Sequence, residues 1–431
     1  MHIFITYEYN ICGFINTKKS LHSILIHGNI IKRYVINEYY VFMEVLVVRI
    51  LRIRVNGLPL YKNSFDVSFY AVQRVQNNHL NSVFNLFGNI YVNTVEGFAG
   101  INASGKTTAL KIISFTSMLL KAAPLNAEFV PQILGEGMNT VFDIDFFADG
   151  KIYHLTSEMM KEKNQDGNHR VRIVSERLWV KSVTTKINKS NLLNYDENTP
   201  VRVRNNSDEY LPDDVSIMIA VNKQIQDKGM FVDLAMLTNF NLFLPEDGSI
   251  PTEIISLLDP TIQYISIENI NDKVVTKLKF YNQKELVLFN PAELNVYLSS
   301  GTVKGVRVFI DATRVLKNGG YMIVDEVENH FNHELVTSLL RLFLNKRTNP
   351  KGAVLVFSTH YPELLDELER NDAVFITRSK EGLTVDNLNT LLNRNDMKKS
   401  EVYQSNFLGG TAPKYNALLA LQKSIIKDME A

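Results

Sequence analysis

Gly100-Ile101-Asn102-Ala103-Ser104-Gly105-Lys106-Thr107 fits the spacing GxxxxGK[ST]. Glycines in such a turn let the backbone curl until successive N–H groups and a helix start face anionic oxygens. Lys106 supplies a point charge for the β and γ phosphates of a nucleotide, and the Thr107 hydroxyl is a hard oxygen ligand for magnesium. A second group closes the apolar run Tyr321-Met322-Ile323-Val324 with Asp325 and Glu326. Asp325 suits a magnesium ion held through its water shell, and Glu326 suits polarising the water that attacks a γ-phosphate. Leu298-Ser299-Ser300-Gly301-Thr302 begins 27 residues before Asp325 and opens a helix whose amides and hydroxyls form an anion site. By itself that segment reads equally as an ordinary N-capped helix. Ser358-Thr359-His360 ends the run Ala353 to Phe357, so His360 stands at a strand's carboxyl end, where ligands of parallel α/β sheets bind. From there its ring can donate a hydrogen bond to a γ-phosphate or to the attacking water.

These groups need strands and helices in a set order. Val45 to Val55, Ser64 to Tyr70 and Asn89 to Phe98 read as β-rich, and Gly105 to Leu120 reads as a helix. Strands are expected at Val141 to Phe147, Lys151 to Thr156 and Val171 to Val183, with Asp149-Gly150 as a hairpin turn. Asn188 to Asp214, rich in Asn, Asp and Ser, marks a boundary into a middle lobe. Beyond it come a helix (Gly301 to Leu316), a strand (Tyr321 to Val324), a helix (His333 to Leu344), a strand (Ala353 to Phe357) and a helix from Pro362. Leu335, Val336, Leu339, Leu340 and Phe343 fall on one face of the second helix, as core packing requires. Alternating strands and helices imply a parallel sheet.

Composition narrows the function classes. The 431 residues are 45% hydrophobic, and 46 basic side chains balance 46 acidic ones, which removes a polyanion-coating role. Cys12 is the only cysteine, so an intramolecular disulfide and a multi-thiolate zinc site are excluded, in keeping with a cytoplasmic location. Val41 to Val55 is interrupted by Glu44, Arg49, Arg52 and Arg54, well short of the ~20 apolar residues of a membrane span. The first 42 residues hold nine Ile and five Tyr but no Ala, Pro or Asp, which suggests translated AT-rich sequence ahead of a start at Met43. A signal peptide is the rival reading, although Lys18, Lys19, Lys32 and Arg33 break up its apolar segments.

The four motifs in this order resemble an ABC-class ATPase of the SMC, RecF and OLD branch, especially the stand-alone AAA family ATP-binding proteins of bacterial phage-defence operons. The resemblance implies an α/β fold: a P-loop ABC-type ATPase head with a mixed central sheet, an added antiparallel sheet and an inserted middle lobe. Composition and motif order divide the chain into an extension (1–42), the P-loop half (43–190), the middle lobe (191–290), the half with signature, Walker B and switch histidine (291–390), and a helical tail (391–431). ATP and Mg2+ are the implied cofactors. Nucleotide contacts fall to Gly100, Asn102, Ala103, Ser104, Gly105, Lys106, Thr107 and Thr108, metal contacts to Thr107 and Asp325, and catalysis to Glu326, His360 and Lys106. The resemblance also implies a head-to-tail homodimer or higher assembly, in which Ser299, Ser300 and Gly301 serve the partner's nucleotide.

The chain departs from that pattern in places. LSSGT replaces LSGGQ, and Val327 to Asn332 replaces the usual SALD-type loop. Gln132 is a candidate for the glutamine lid, with Pro131 beside it reading equally as a loop. About 190 residues between Thr107 and Leu298 are too few for an SMC coiled coil, and the 71 after His360 leave no room for the OLD nuclease domain. Asp143 and Asp145 mimic a carboxylate metal pair but sit in an alternating strand. Lys151 to Lys189 carries nine basic and four acidic residues around Tyr153 and Trp179, offering DNA or RNA contact or simply a solvated hairpin. The segment after Leu408-Gly409-Gly410-Thr411-Ala412-Pro413, with Tyr415, Leu418, Leu419, Ile425 and Ile426, reads as a docking helix. The reading is an ATP-hydrolysing switch of an antiphage system acting on a separate, nearby-encoded effector. A RecF-like DNA-repair ATPase and a transporter subunit are the alternatives.

Overall fold

The computed structural model describes residues 24–26, 29–31, 43–46, 48–125, 133–163, 167–195, 199–205, 211–225, 228–235, 248–270, 273–392, 397–411 and 415–430. The chain divides into two units, Met1–Val41 and Phe42–Ala431. In the first, β1 (Ile24–Ile26) and β2 (Asn29–Ile31) form an antiparallel pair with Ile24 opposite Ile31. The remainder of the expected extension 1–42 lies outside the described residues.

The second unit begins with β3 (Met43–Leu46), β4 (Arg49–Asn56), β5 (Phe65–Ser68), β6 (Val83–Phe87), β7 (Ile90–Asn93) and β8 (Val95–Ala99). After helix α1 (Lys106–Leu120) come β9 (Asn139–Ala148), β10 (Lys151–Lys163), β11 (His169–Ser182), β12 (Arg202–Arg204), α2 (Met218–Asn222) and β13 (Lys228–Asp233). A further group holds β14 (Gly248–Ser249), α3 (Thr252–Leu258), β15 (Ile262–Ile270), β16 (Lys273–Phe280) and β17 (Leu286–Leu288). The last part runs α4 (Leu294–Tyr297), α5 (Ser300–Asn318), β18 (Gly320–Val324), α6 (His333–Phe343), β19 (Val354–Thr359), β20 (Val374–Ser379) and β21 (Leu383–Asn387). It ends with α7 (Leu388–Leu391), α8 (Lys399–Gln404) and α9 (Tyr415–Glu430).

The central sheet has the order β21-β20-β8-β19-β18-β13-β3. Its five inner strands are parallel, and β21 and β3 close the two edges antiparallel. Both faces are covered, so the inner strands are buried at every position from Gly320 to Val324 and from Val354 to Thr359. Side chains alternate between two cores: Tyr321, Ile323, Val354 and Val356 join α1, while Met322, Val324, Leu355 and Phe357 join α5 and α6.

Helix α1 is buried nearly all round, Ser114, Thr116 and Ser117 included, because it lies between two sheets. Opposite the central sheet is the antiparallel sheet β12-β11-β10-β9-β4-β5, whose Phe142 ring meets Phe115 of α1 at 5.0 Å. The β9–β10 turn puts Asp149 (φ 47°) and Gly150 (φ 69°) in the left-handed region, the geometry a two-residue hairpin requires. A four-stranded sheet, β14-β15-β16-β17, packs Ile265, Leu278 and Leu288 on Val303 and Val306 of α5.

Three expectations change. The run Val45 to Val55 is two strands: β3 edges the central sheet, whereas β4 pairs with β5 and β9 in the antiparallel sheet. The segment from Pro362 is a short 3-10 turn, Pro362–Glu367, because the chain must bury Leu364 and Leu365 and then reverse into β20 through the buried pair Arg370–Asp372 (2.6 Å). The interval 191–290 is shared among three sheets: β12 extends the antiparallel sheet, β13 enters the central one, and β14 to β17 form their own.

Candidate functional site

Strand register brings the motifs together. Ala99 of β8 pairs with Thr359 of β19 and Ile376 of β20, and Val324 of β18 pairs with Phe357. The carboxyl ends of these strands therefore stand side by side, and the loops that leave them share one cleft of about 690 Å³. Asn102, Ala103, Ser104, Gly105, Lys106, Thr107, Thr108, Glu326 and His360 line it.

The glycine loop has the conformation its residues permit. A Cβ on Gly100 would lie 2.6 Å from the Thr377 carbonyl oxygen, so only glycine lets the loop pass β20 this closely. Gly105 caps α1 at φ 98° with no side chain over the helix start, leaving its amides open to an anion. Ser104 Oγ anchors the loop to Thr377 Oγ1 at 2.7 Å.

Lys106 is buried, and its ammonium donates to the carbonyls of Gly100 (2.9 Å) and Ile101 (3.3 Å). Burial pulls it below the usual lysine range, while the carboxylates of Asp325, Glu328 and Glu326 pull the other way. The Thr107 hydroxyl donates to Asp325 Oδ2 at 2.6 Å, and Ser358 Oγ donates to Asp325 Oδ1. A hydroxyl and a carboxylate meeting at a phosphate-binding turn suit magnesium, which takes one or two protein oxygens and completes its shell with water and phosphate.

Glu326 adopts φ 45°, which turns the chain sharply out of β18, and its N–H donates to Ser358 Oγ at 2.8 Å. Its Oε1 stands 3.7 Å from His360 Nε2. His360 Nδ1 lies 3.3 Å from Lys106 Nζ. A lysine ammonium only donates, so Nδ1 accepts, and the ring's own proton belongs on Nε2, facing Glu326.

The signature segment does not line this cleft. Ser299 caps α5, accepting from the Thr302 N–H at 3.1 Å, and exposed Ser300 contacts His330 Nδ1 at 3.2 Å. A Cβ on Gly301 would press on the His330 carbonyl, so this glycine admits the loop after β18 against the helix start. Lys304, one turn further, donates to the Asn329 carbonyl at 2.8 Å, and burial lowers it to about 8 against the opposing pull of Glu326, Glu328 and Asp325. Gln132 lies outside the described residues.

The far wall of the cleft is formed by Leu60, Ser379, Gly382 and Leu383. No motif marks them. They arrive through the β20–β21 hairpin and its bonds to the loop after β4, Leu383 N–H to Leu60 O (2.7 Å) and Lys62 N–H to Leu383 O (3.1 Å). Nor does a motif mark Ser358 and Glu328, two positions from His360 and Glu326, as members of the site they bond to.

The other candidates are engaged elsewhere. Asp143 accepts from Thr156 Oγ1 at 2.7 Å and Asp145 lies 2.9 Å from His154 Nδ1; among the described residues no cluster of three or more His, Cys, Asp or Glu is placed to hold a metal. In the basic stretch, Arg170 and Arg172 pair with Glu162, Lys163 with Glu136, and Lys181 and Lys189 donate to backbone carbonyls. Among the described residues no helix is long and apolar enough to cross a membrane.

A glycine phosphate loop on β8, with acids at the end of β18 and a helix on either face of the sheet, defines a P-loop ATPase domain of the AAA type. Residues 97–366, more than half of the chain, match the family described as "AAA domain, putative AbiEii toxin, Type IV TA system", and the chain belongs to that family. No curated protein matches the chain.

Proposed function

We propose that the chain is an ATP-binding and ATP-hydrolysing switch, the ATPase component of an antiphage or toxin-type system that controls a separate effector. The observation that carries the hydrolase reading is the convergence of Lys106, Thr107, Glu326 and His360 on one cleft, with Asp325 bonded to Thr107 behind its lining. Lys106 and the amides that open α1 neutralise the phosphate charge. Thr107 and Asp325 would hold magnesium, which when bound offsets charge on the β and γ oxygens. Glu326 accepts a hydrogen bond from the attacking water, and the Nε2 proton of His360 orients Glu326 or the γ-phosphate beside it.

The family's description, which names a toxin–antitoxin system, supports the defence context. The exposed start of α5 supports a head-to-tail homodimer in which Ser299, Ser300 and Gly301 cap the partner's nucleotide. The ion pairs along Lys151 to Lys189 weigh against direct nucleic-acid binding.

Two variants test the site. Lys106→Ala is expected to abolish ATP binding, whereas Glu326→Gln is expected to keep binding and lower turnover about 100-fold or more. Near-wild-type hydrolysis by Glu326→Gln would remove Glu326 from its assigned role.

A further inference from the structure

Two loops bring the reacting groups to the cleft: the one after β18 carries Glu326, and the one after β19 carries His360. Backbone and hydroxyl bonds join their bases, Val327 N–H to Ser358 O at 3.0 Å and Glu326 N–H to Ser358 Oγ at 2.8 Å. Further out they are tied by one side chain. Glu328 Oε1 accepts the backbone N–H of His360 at 2.6 Å. Glu328 is only 8% exposed, and its Oε2 is buried with no hydrogen-bond partner. Leaving one carboxylate oxygen unbonded in the interior is unfavourable. The ammonium groups of Lys106 and Lys304 both interact with the Glu328 carboxylate, which offsets part of that cost.

The bond falls on the backbone of the histidine whose ring spans the site. With the His360 amide fixed, Nδ1 rests on Lys106 and Nε2 stands toward Glu326. We propose that Glu328 is a positioning residue for hydrolysis: by holding the His360 amide it keeps the imidazole between Lys106 and Glu326, and so sets the orientation of the group that activates water. The inference rests on the roles given above to Glu326 and His360.

The test measures steady-state hydrolysis and nucleotide binding on the full chain. Glu328→Ala is expected to lower kcat about ten-fold or more, with KM and ATP binding changed less than about three-fold. Glu328→Gln retains a carbonyl oxygen for the His360 N–H and is expected to stay within about three-fold of wild type. Adding Glu328→Ala to His360→Ala should cost nothing further, because the first residue acts through the second. Wild-type kcat in Glu328→Ala, additive losses in the double variant, or a folded Glu328→Gln as slow as His360→Ala would each overturn the proposal. If Glu328→Ala does not fold, Glu328→Met, which keeps the bulk but offers no oxygen to the His360 N–H, takes its place with the same expectations. A wild-type protein that hydrolyses no ATP overturns the hydrolase reading and this inference together, whereas active wild type with any of the preceding results overturns this inference alone.

Discussion

Lysine 121 shows how strongly burial acts on a single group. It follows the last turn of α1, and its ammonium end is buried 3.7 Å from the centroid of the Phe231 ring. Burial lowers it from 10.5 to about 7, with Asp233 opposing. Between those values the unfolded chain binds a proton that the folded chain does not, so stability rises with pH across that window and is lowest below it. Urea unfolding at intervals from pH 6.5 to 9.5 is expected to show that rise in wild type and a flatter profile in Lys121→Met. Nothing in the sequence announces this lysine, since burial depends on what α1 packs against. The cleft residues were readable for the opposite reason: phosphate chemistry demands particular side chains at fixed spacing, as at Lys106, Thr107, Asp325 and Glu326. Leu60 and Leu383 contribute only shape, which leaves no such trace.

At the level of elements, α5 depends on its cap. Ser299→Ala removes the acceptor for the Thr302 N–H and is expected to lower stability by about 1 kcal/mol, read by thermal or urea unfolding. Strands with clear alternation were readable: β9, β10 and β11 start and end within a few residues of expectation, apart from the longer C-terminal arm of β10. The division of Val45 to Val55 between two sheets was not, because the apolar run Val45 to Val48 passes across the break without interruption and only strand pairing reveals it. The 3-10 turn at Pro362 escaped for a related reason: proline marks a helix start, but the length that follows is decided by the buried Arg370–Asp372 pair downstream.

For the whole molecule, the dimer proposal predicts complementation. Ser300 is exposed, so Ser300→Arg blocks a partner's nucleotide without the clash with His330 that any side chain at Gly301 would bring. Mixing it with Lys106→Ala should restore ATPase activity in heterodimers, because each dimer then regains one intact composite site. Mixed dimers with no recovered activity would count against the arrangement. The sheet order also has a consequence for synthesis. Strand β8, which carries the phosphate loop, lies between β19 and β20, whose residues follow it by more than 250 positions. At ~5–20 residues per second a ribosome leaves β8 without either neighbour for roughly 13 to 50 seconds. During that time its apolar faces and unpaired edges are open to wrong partners, so expression of this chain should depend on chaperones, and truncation before β20 should leave it prone to aggregate.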